Sequence, residues 1–252
     1  MSEQYSNLAA FYDLLNDGVD YDEWFAFLNG VCERNGFKPQ SVLDLACGTG
    51  QMALRFAKQG LDTIAIDLSP EMLCIAKQKA DDEKLDILFL NQDMAQFELY
   101  GTVDMIVCCL DSINYLLKTD DVKSCFANVR NYLNNGGYFI FDINSEYKFK
   151  NIYADNAYVF ETDDVFCTWQ NYYKSTTRIC DFYLDFFVEQ DGMYRRFSET
   201  QRERCYTLRQ MLSYIKEAGL ETVGVYSDFA FTEADEKNQG ETERFYIVCK
   251  KM

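Results

Sequence analysis

The segment SVLDLACGTGQ, residues 41–51, has the residue types and spacing of a ligand-binding loop. Its first half is an apolar run that predicts a buried strand, and residues 51–59 after it have helical spacing. Between them lie Gly48 and Gly50, which allow a tight turn. A strand, a glycine turn and a helix N-terminus together offer free backbone N–H groups to a ligand.

Two kinds of ligand are compatible with this loop. From Gly48, the letters GTGQMA match G-x-G-x-x-A, the dinucleotide fingerprint, and Asp67 lies near the position of a ribose-binding acid. A P-loop is excluded because no Gly-Lys-Ser/Thr follows. Asp44, directly before the turn, favours instead a ligand that is cationic or donates hydrogen bonds, since a carboxylate is unfavourable beside a pyrophosphate. Asp93, after the third strand-like run, is placed to meet an adenine amino group.

Short apolar runs alternate with helical patterns in the first part of the chain, which predicts a doubly wound α/β fold with a parallel sheet and crossover helices. The strand-like runs are Ser41–Leu45, Thr63–Ile66, Ile87–Leu90, Val103–Leu110 and Tyr138–Ile143. The helical segments are residues 5–15, 21–35, 51–59, 70–80, 120–133 and 207–219. Two further strands, in TVGVYSDF and ERFYIVCKK, close the sequence.

Residues 145–206 have a different pattern, with several β-rich runs and no clear helical spacing. In ICDFYLDFFVE, every second residue is apolar: Cys180, Phe182, Leu184, Phe186 and Val188. A period of two predicts an antiparallel strand with one buried face. Asp163-Asp164 and Gln190-Asp191-Gly192 lie between such runs and predict hairpin turns. This segment is therefore an antiparallel insert in the α/β domain.

The composition limits the chemistry of the protein. There is no histidine, so any proton transfer must use Asp, Glu, Tyr, Lys or water. The ten cysteines include no C-x-x-C pair and lie mostly in apolar runs, which predicts free, buried thiols in a reducing compartment and no metal site. No apolar stretch of about 18 residues occurs, and the N-terminus lacks a secretory pattern. We expect a cytoplasmic protein without membrane spans.

The net charge of −17, from 41 acidic and 24 basic residues, argues against broad binding to nucleic acid. A local basic patch stays possible at four arginines of the insert, Arg195, Arg196, Arg202 and Arg204. The alternative is a solvated strand face in which Glu199 and Glu203 alternate with these arginines.

Five segments in order resemble the class I S-adenosylmethionine-dependent methyltransferases: VLDLACGTG, IAIDLS, NQDM, VDMIVCCLDSINYL and LNNGGYFIFDI. The opening YSNLAAFYDLLNDGVDYDEW and the β-rich insert resemble a bacterial subgroup of that family. The resemblance implies a mostly parallel, seven-stranded Rossmann-like sheet, S-adenosylmethionine as cofactor and methyl transfer as activity. It also implies a methyltransferase domain of residues 1–144 and 207–252, capped by helices within 1–36, with residues 145–206 as a substrate lid. One departure is Ala46, which stands where the family often has Gly.

Carried over position by position, the resemblance implies a cofactor site in which Asp67 accepts the ribose hydroxyls while Asp93 and Met94 meet the adenine edge. The implied cofactor-binding residues are Tyr5, Tyr12, Trp24, Asp44, Ala46, Gly48, Gly50, Asp67, Leu68, Met72, Asp93, Met94, Cys109 and Asp111. Alternatives stay open for several of them. One alternative is that Asp44 only caps backbone amides, and another is that the N-terminal aromatic residues belong to the core.

A sulfonium methyl group is already activated, so the protein mainly has to align a nucleophile with it. The candidate catalytic side chains follow the fourth strand: Asp111, Asn114 and Tyr115. DSINY is not the Asn/Asp-Pro-Pro-aromatic motif of amide-directed methyltransferases. We expect a small-molecule acceptor and a monomer or homodimer. An RNA or protein methyltransferase that uses the arginine patch is the first alternative, and an NAD-dependent oxidoreductase is the second.

Overall fold

A computed structural model describes residues 8–162, 165–235 and 240–252 of the chain. The secondary structure begins with a 3₁₀ turn, Leu8–Phe11, that continues into the short helix α1, Tyr12–Leu15. The other helices are α2 Tyr21–Arg34, α3 Gln51–Lys58, α4 Pro70–Glu83, α5 Thr119–Tyr132 and α6 Leu208–Glu217. In the described ranges, no helix is both long and apolar enough to cross a bilayer.

Eleven strands form two sheets in the described part of the chain. The first group is β1 Ser41–Leu45, β2 Asp62–Asp67, β3 Ile87–Asn91, β4 Val103–Cys108 and β5 Leu133–Asn144. The insert provides β6 Ala157–Glu161, β7 Val165–Lys174, β8 Ile179–Gln190 and β9 Met193–Arg204. The chain closes with β10 Leu220–Tyr226 and β11 Arg244–Lys251.

The large sheet has seven strands in the order β10-β11-β5-β4-β1-β2-β3. β11 runs antiparallel to both of its neighbours, and the other pairings in the sheet are parallel. The insert forms a separate antiparallel sheet in the order β6-β7-β8-β9. The fold expected from the sequence, a mostly parallel seven-stranded sheet with a small antiparallel insert, is confirmed.

Both faces of the large sheet are covered because successive side chains of its strands point to opposite sides. In β1, Leu43 and Leu45 belong to the core under α5 and α6, whereas Val42 belongs to the core under α2 and α3. A third core joins the inner face of the insert to the N-terminal helix, where the rings of Phe11 and Phe186 stack with centroids 5.6 Å apart. This third core places the insert above the carboxyl ends of β1, β2 and β4.

Local sequence signals explain where several helices begin. Ser69 caps α4 by accepting a hydrogen bond from the backbone N–H of Met72 at 3.2 Å, and Pro70 occupies the first helical position. Thr207 and Gln210 form a reciprocal capping box at the start of α6. These caps fix the entry of each crossover helix beside the sheet.

Several expected boundaries were wrong. The fourth strand ends at Cys108 instead of Leu110, because Leu110 and Asp111 both have positive φ, 58° and 53°, which ends the extended conformation. The first expected helix, residues 5–15, is a 3₁₀ turn followed by one short α-helix, and residues 5–7 lie outside the described ranges. The insert contains a π-helical turn, Lys148–Tyr153, although its sequence shows no helical pattern.

Candidate active site

A cavity of about 490 Å³ lies between the carboxyl ends of β1, β2 and β4 and the inner face of the insert. Its size is typical of small-molecule sites. On the sheet side it is lined by Tyr12, Ala46, Gly48, Asp67, Leu68, Met72, Asp93, Met94, Asp111 and Tyr115. On the insert side it is lined by Tyr153, Trp169, Phe182, Leu184, Gln201 and Glu203, and Arg244 closes it from β11. Open α/β sheets bind ligands at this edge.

The glycine loop turns sharply at three left-handed residues. Ala46, Gly48 and Gly50 have φ values of +61°, +53° and +81°. Gly50 does not line the cavity; a Cβ there would lie 2.9 Å from the Cβ of Ala76, so its role is close packing of the loop against α4. Gly48 lines the cavity opposite the ring of Tyr12. Ala46 holds a conformation that costs an L-residue about 1–2 kcal/mol and that glycine adopts freely.

Asp67 ends β2 and faces the cavity from beneath the loop. Its Oδ2 accepts a hydrogen bond from the backbone N–H of Gly48 at 2.8 Å, and its Oδ1 accepts one from Ser69 at 2.9 Å. Burial raises the pKa of this carboxyl group despite those bonds. A carboxylate oxygen has two lone pairs, so each oxygen retains acceptor capacity toward a ligand.

Asp44 has a structural position. It is 2% exposed and does not line the cavity. Its Oδ2 accepts a hydrogen bond from the backbone N–H of Ala53 in the first turn of α3, at 2.9 Å. Burial raises the pKa of Asp44 to about 7. This placement matches the amide-capping alternative and leaves no direct contact with a ligand in the cavity.

The N-terminal aromatic residues separate into two groups. Tyr12 lines the cavity. Trp24 does not, because α2 directs it into the core on one face of the sheet, where it packs edge-on against Phe229 and Tyr246 with centroids 5.1 Å away from each. The expectation that Trp24 caps the pocket is therefore not supported by its position. Tyr5 lies outside the described residues.

Asp93 and Met94 line the sheet side of the cavity together with Leu68 and Met72. One oxygen of Asp93 accepts a hydrogen bond from the backbone N–H of Ala95 at 2.8 Å. Cys109 is 7% exposed and belongs to the core beside α2, outside the cavity lining. The loop after β4 therefore reaches the cavity through Leu110 and Asp111, not through Cys109.

The three candidate catalytic residues differ in position. Asp111 lines the cavity, and its Oδ1 lies 2.7 Å from Nη2 of Arg244. Tyr115 also lines the cavity. Asn114 is fully buried and does not, because its amide bridges two backbone groups: it donates to the carbonyl of Arg204 at 2.9 Å and accepts from the N–H of Asn144 at 3.0 Å. Asn114 therefore joins the insert to the large sheet.

Comparison with known proteins identifies the family. A family model described as a methyltransferase domain matches residues 42–137. A protein of Geobacillus sp. (strain WCH70), which carries a provisional methyltransferase name without an acceptor, is 32% identical over 98% of this chain and 99% of its own length. The chain belongs to the class I S-adenosylmethionine-dependent methyltransferases.

Two further relatives show how widely the fold is shared. The crystal structure of an S-adenosylmethionine-dependent methyltransferase from Clostridium acetobutylicum ATCC 824 is 34% identical, with a TM-score of 0.88 over 98% of both chains. A dTDP-3-amino-3,4,6-trideoxy-alpha-D-glucopyranose N,N-dimethyltransferase of Streptomyces venezuelae is 30% identical over 128 residues, which is 50% of this chain and 52% of that protein. The family and fold expected from the five sequence motifs are thus confirmed.

The arginine patch of this methyltransferase is largely neutralised. Arg196 lies 3.0 Å from Asp185 and Arg202 lies 2.6 Å from Asp181, both across the strand pair β8–β9. Arg204 donates to the backbone carbonyl of Leu117 at 2.7 Å. This face of β9 is exposed to solvent, as the alternative interpretation predicted, but the acidic residues beside the arginines belong to β8.

The glutamates assigned to that solvated face have the opposite orientation. Glu199 and Glu203 are 6% and 3% exposed and point to the inner face of the insert. Sequence reasoning therefore missed Glu203, which lines the cavity. The available signal was the alternation of polar and charged residues along β9, which shows that its two faces differ but not which one is buried.

Arg244, Tyr153 and Trp169 were also missed as cavity residues. Arg244 is separated from Asp111 by more than a hundred residues of sequence. The two side chains meet because β11, which begins with Arg244, pairs antiparallel with β5. Other polar side chains of the insert do not line the cavity: Tyr172 is exposed, and Arg178 pairs with Glu146 at 3.0 Å. The insert therefore contributes its inward-facing residues, which no motif marks.

Proposed function

We propose that the cavity binds S-adenosylmethionine on its sheet side and a small-molecule methyl acceptor on its insert side. The observation that carries this proposal is that one cavity of about 490 Å³ joins the glycine loop and Asp67 to the aromatic inner face of the insert. The proposed cofactor-binding residues are Tyr12, Ala46, Gly48, Asp67, Leu68, Met72, Asp93 and Met94. Asp111 and Tyr115, from the segment after β4, would contact the acceptor.

The donor set of the sheet side fits this cofactor. Asp67 retains lone pairs for two ribose hydroxyls, since each oxygen uses one for a backbone N–H. The free oxygen of Asp93 suits an amino group of the adenine ring, and Leu68 and Met72 supply apolar walls. The left-handed turn at Gly48 lets the backbone approach a ligand closely. The backbone N–H of Gly48, which a pyrophosphate would need, is already donated to the carboxyl group of Asp67, and this supports S-adenosylmethionine over a dinucleotide.

When bound, S-adenosylmethionine supplies a methyl carbon that accepts the lone pair of a nucleophile while the electron pair of the carbon–sulfur bond returns to sulfur. The chain's own residues therefore need to exclude water and orient the acceptor. The third core, which includes Phe186 and Phe11, holds the insert over the cavity. We propose that residues 145–206 serve as the substrate lid and that the helices before Phe37 cap the cavity.

The acceptor is proposed to be small for two reasons. The insert lies over the cavity, and three of its four clustered arginines are engaged: Arg196 and Arg202 pair with acids, and Arg204 donates to a backbone carbonyl. These arginines therefore offer no continuous basic track for RNA. The Streptomyces venezuelae relative acts on an amino sugar nucleotide by its name, which is a small molecule. A monomer or homodimer is sufficient for such a site.

Incubation with S-adenosylmethionine labelled in the methyl group and a bacterial cell extract tests this function. The extract is separated afterwards into RNA, protein and small molecules, and Asp67→Ala serves as the control with impaired cofactor binding. Label is expected in the small-molecule fraction and not with the variant. Label in the RNA or protein fraction, with a steep loss at high salt, would support the alternative acceptor class instead. An absence of label from all three fractions would contradict the proposed activity.

A further inference from the structure

A compact cluster of charged residues lies where the insert meets the large sheet at the cavity. Arg244 pairs with Asp111 at 2.7 Å and with Asp142. The carboxyl groups of Asp111 and Glu203 share a hydrogen bond, and Lys148 lies close enough to both to influence their pKa values. The cluster therefore has three acids against two bases. It is electrically balanced only if one acid carries a proton or if one further cation binds.

Glu203 is the acid whose charge is least compensated. Its Oε2 accepts a hydrogen bond from Nδ2 of Asn144 at 3.0 Å, and the side chain is 3% exposed. Burial, together with the nearby charge of Asp111, raises the pKa of Glu203 well above its usual range. Asp111 shows the opposite shift: burial raises its pKa, but Arg244 and Lys148 outweigh burial and lower it. Two carboxyl groups can share a hydrogen bond only when one of them carries a proton, and the opposite directions of the two pKa shifts favour Glu203 as the group that holds it.

The walls next to Glu203 are aromatic. Tyr153, Trp169 and Phe182 all line the cavity, and their rings meet edge to face, with centroids 5.0 Å apart for Tyr153 and Phe182 and 5.8 Å apart for Trp169 and Phe182. The indole Nε1 of Trp169 is buried without a hydrogen-bond partner. Aromatic faces attract cations, and an unpaired buried donor favours a ligand that brings an oxygen.

We propose, on the basis of the proposed function, that the methyl acceptor is a small amine that binds as an ammonium ion between Glu203 and Asp111. Its positive charge takes the place of the proton that the two carboxyl groups share. It also supplies the third cation of the cluster. Trp169 donates its indole N–H to an oxygen of the same molecule.

The reaction needs the amine in its neutral form, and Glu203 provides the route to it. One proton passes from the ammonium nitrogen to a carboxylate oxygen of Glu203, and the nitrogen retains the lone pair that forms the new bond to carbon. An acid with a raised pKa is suited to this transfer because its proton affinity is closer to that of an amine. After product release, Glu203 is again the neutral partner of Asp111.

Other acceptor classes fit this wall less well. An alcohol leaves the cluster with its excess negative charge unless Glu203 stays protonated, and a protonated Glu203 is not a base. A carboxylic acid would add a fourth negative charge beside Asp111 and Glu203, while Arg244 is already paired with two carboxylates. The titratable and polar groups that face Glu203 are Asp111, Asn144, Lys148, Tyr153 and, from β8, Cys180.

Calorimetric titration of the protein–S-adenosylhomocysteine complex with candidate acceptors tests the acceptor class. The candidates are used in pairs of an amine and the corresponding alcohol. The pairs are benzylamine with benzyl alcohol, cyclohexylamine with cyclohexanol, and glucosamine with glucose. In at least one pair, the amine is expected to bind about tenfold or more tightly than the alcohol, as for a hydrogen-bonded charge. Titrations in buffers of different ionisation enthalpy are expected to show the release of about one proton by Glu203 on amine binding.

Glu203→Gln is expected to abolish the proton release and to weaken amine binding by about tenfold or more. Glu199→Gln is the matched control, because Glu199 is buried on the same face of β9 but does not line the cavity. Binding of S-adenosylhomocysteine is measured first for every protein. If it fails for the wild type, the proposed function fails. If it succeeds while the alcohols bind as well as the amines, or while no amine binds, the amine proposal alone is overturned.

Discussion

Replacement of Asp67 by alanine tests the cofactor assignment at the residue on which it depends most. The carboxylate would accept hydrogen bonds from two ribose hydroxyls, and a hydrogen bond to a charged group contributes about 1.5–3 kcal/mol. We expect Asp67→Ala to weaken S-adenosylhomocysteine binding by about tenfold to a hundredfold. Asp62→Ala is the matched control, because Asp62 lies at the exposed start of the same strand. Asp62→Ala is expected to bind S-adenosylhomocysteine with the affinity of the wild type.

The variant also changes the loop itself, so two effects must be separated. Asp67→Ala removes the bonds to the backbone N–H groups of Gly48 and Ser69, at 2.8 and 2.9 Å. The loss of these bonds is partly offset by removal of a carboxylate whose pKa is raised by burial, so we expect the free energy of unfolding to fall by about 1–3 kcal/mol. Urea denaturation followed by circular dichroism measures this change.

A ligand without one ribose hydroxyl separates the contact from the loop effect. Wild-type protein is expected to bind the deoxyribose analogue of S-adenosylhomocysteine more weakly than the parent ligand, whereas Asp67→Ala is expected to bind both alike. Calorimetric titration of both proteins with both ligands gives the coupling directly. An unchanged dissociation constant for folded Asp67→Ala, or equal discrimination by both proteins, would refute the ribose assignment.

Three further predictions concern the frame of the site. Burial raises the pKa of Asp44 to about 7, so the folded state holds a proton that the unfolded state releases, and the free energy of unfolding of the wild type falls as the pH rises from about 4 to 7. Asp44→Asn is expected to make this fall smaller, which urea titrations across that pH range measure. Ala46→Gly is expected to raise the free energy of unfolding by about 0.5–1.5 kcal/mol, because the backbone is left-handed there, whereas Ala53→Gly inside α3 should lower it by about 1 kcal/mol. Cys74 is the exposed thiol among the ten free cysteines, so a colorimetric thiol reagent should show one fast reaction, which Cys74→Ser removes.

The sequence was sufficient for the architecture because local periodicity carries it. The runs at Ser41–Leu45 and Ile87–Leu90 are short, apolar and bounded by turn residues, so their strands were expected within one residue of their observed ends. The period of two in β8 predicted its buried face, where Phe182 and Phe186 are almost fully buried. Boundaries failed where the deciding factor was a backbone conformation, as at Leu110, whose left-handed φ no apolar pattern reveals.

Apart from Tyr12 in α1 and Met72 in α4, the cavity residues that the sequence predicted lie at the ends of parallel strands or in the segments after them. Asp67 ends β2, Asp93 and Asp111 follow β3 and β4, and the topology brings all three to one cavity. Trp24 and Asn114 were expected at the site because of their positions in sequence, but the direction of each side chain is set by tertiary packing. The choice of face determines whether a polar residue on a strand binds a ligand or water.

Glu203 is a cavity residue that the sequence did not reveal. Its alternation with Arg202 and Arg204 is visible in the sequence, yet both faces of that strand contain charged residues. Only the register of β9 against β8, in which Glu203 lies opposite Cys180, places it on the inner face. A long-range contact of this kind has no local signal, which explains why the acceptor side of the cavity was missed.

Calorimetric titration of the purified protein with S-adenosylhomocysteine, with NADH in a parallel titration, tests the central claim most directly. The account predicts binding of S-adenosylhomocysteine with a dissociation constant on the order of micromolar and no heat with NADH. Binding of NADH without S-adenosylhomocysteine would contradict it, because the glycine loop and Asp67 would then hold a dinucleotide.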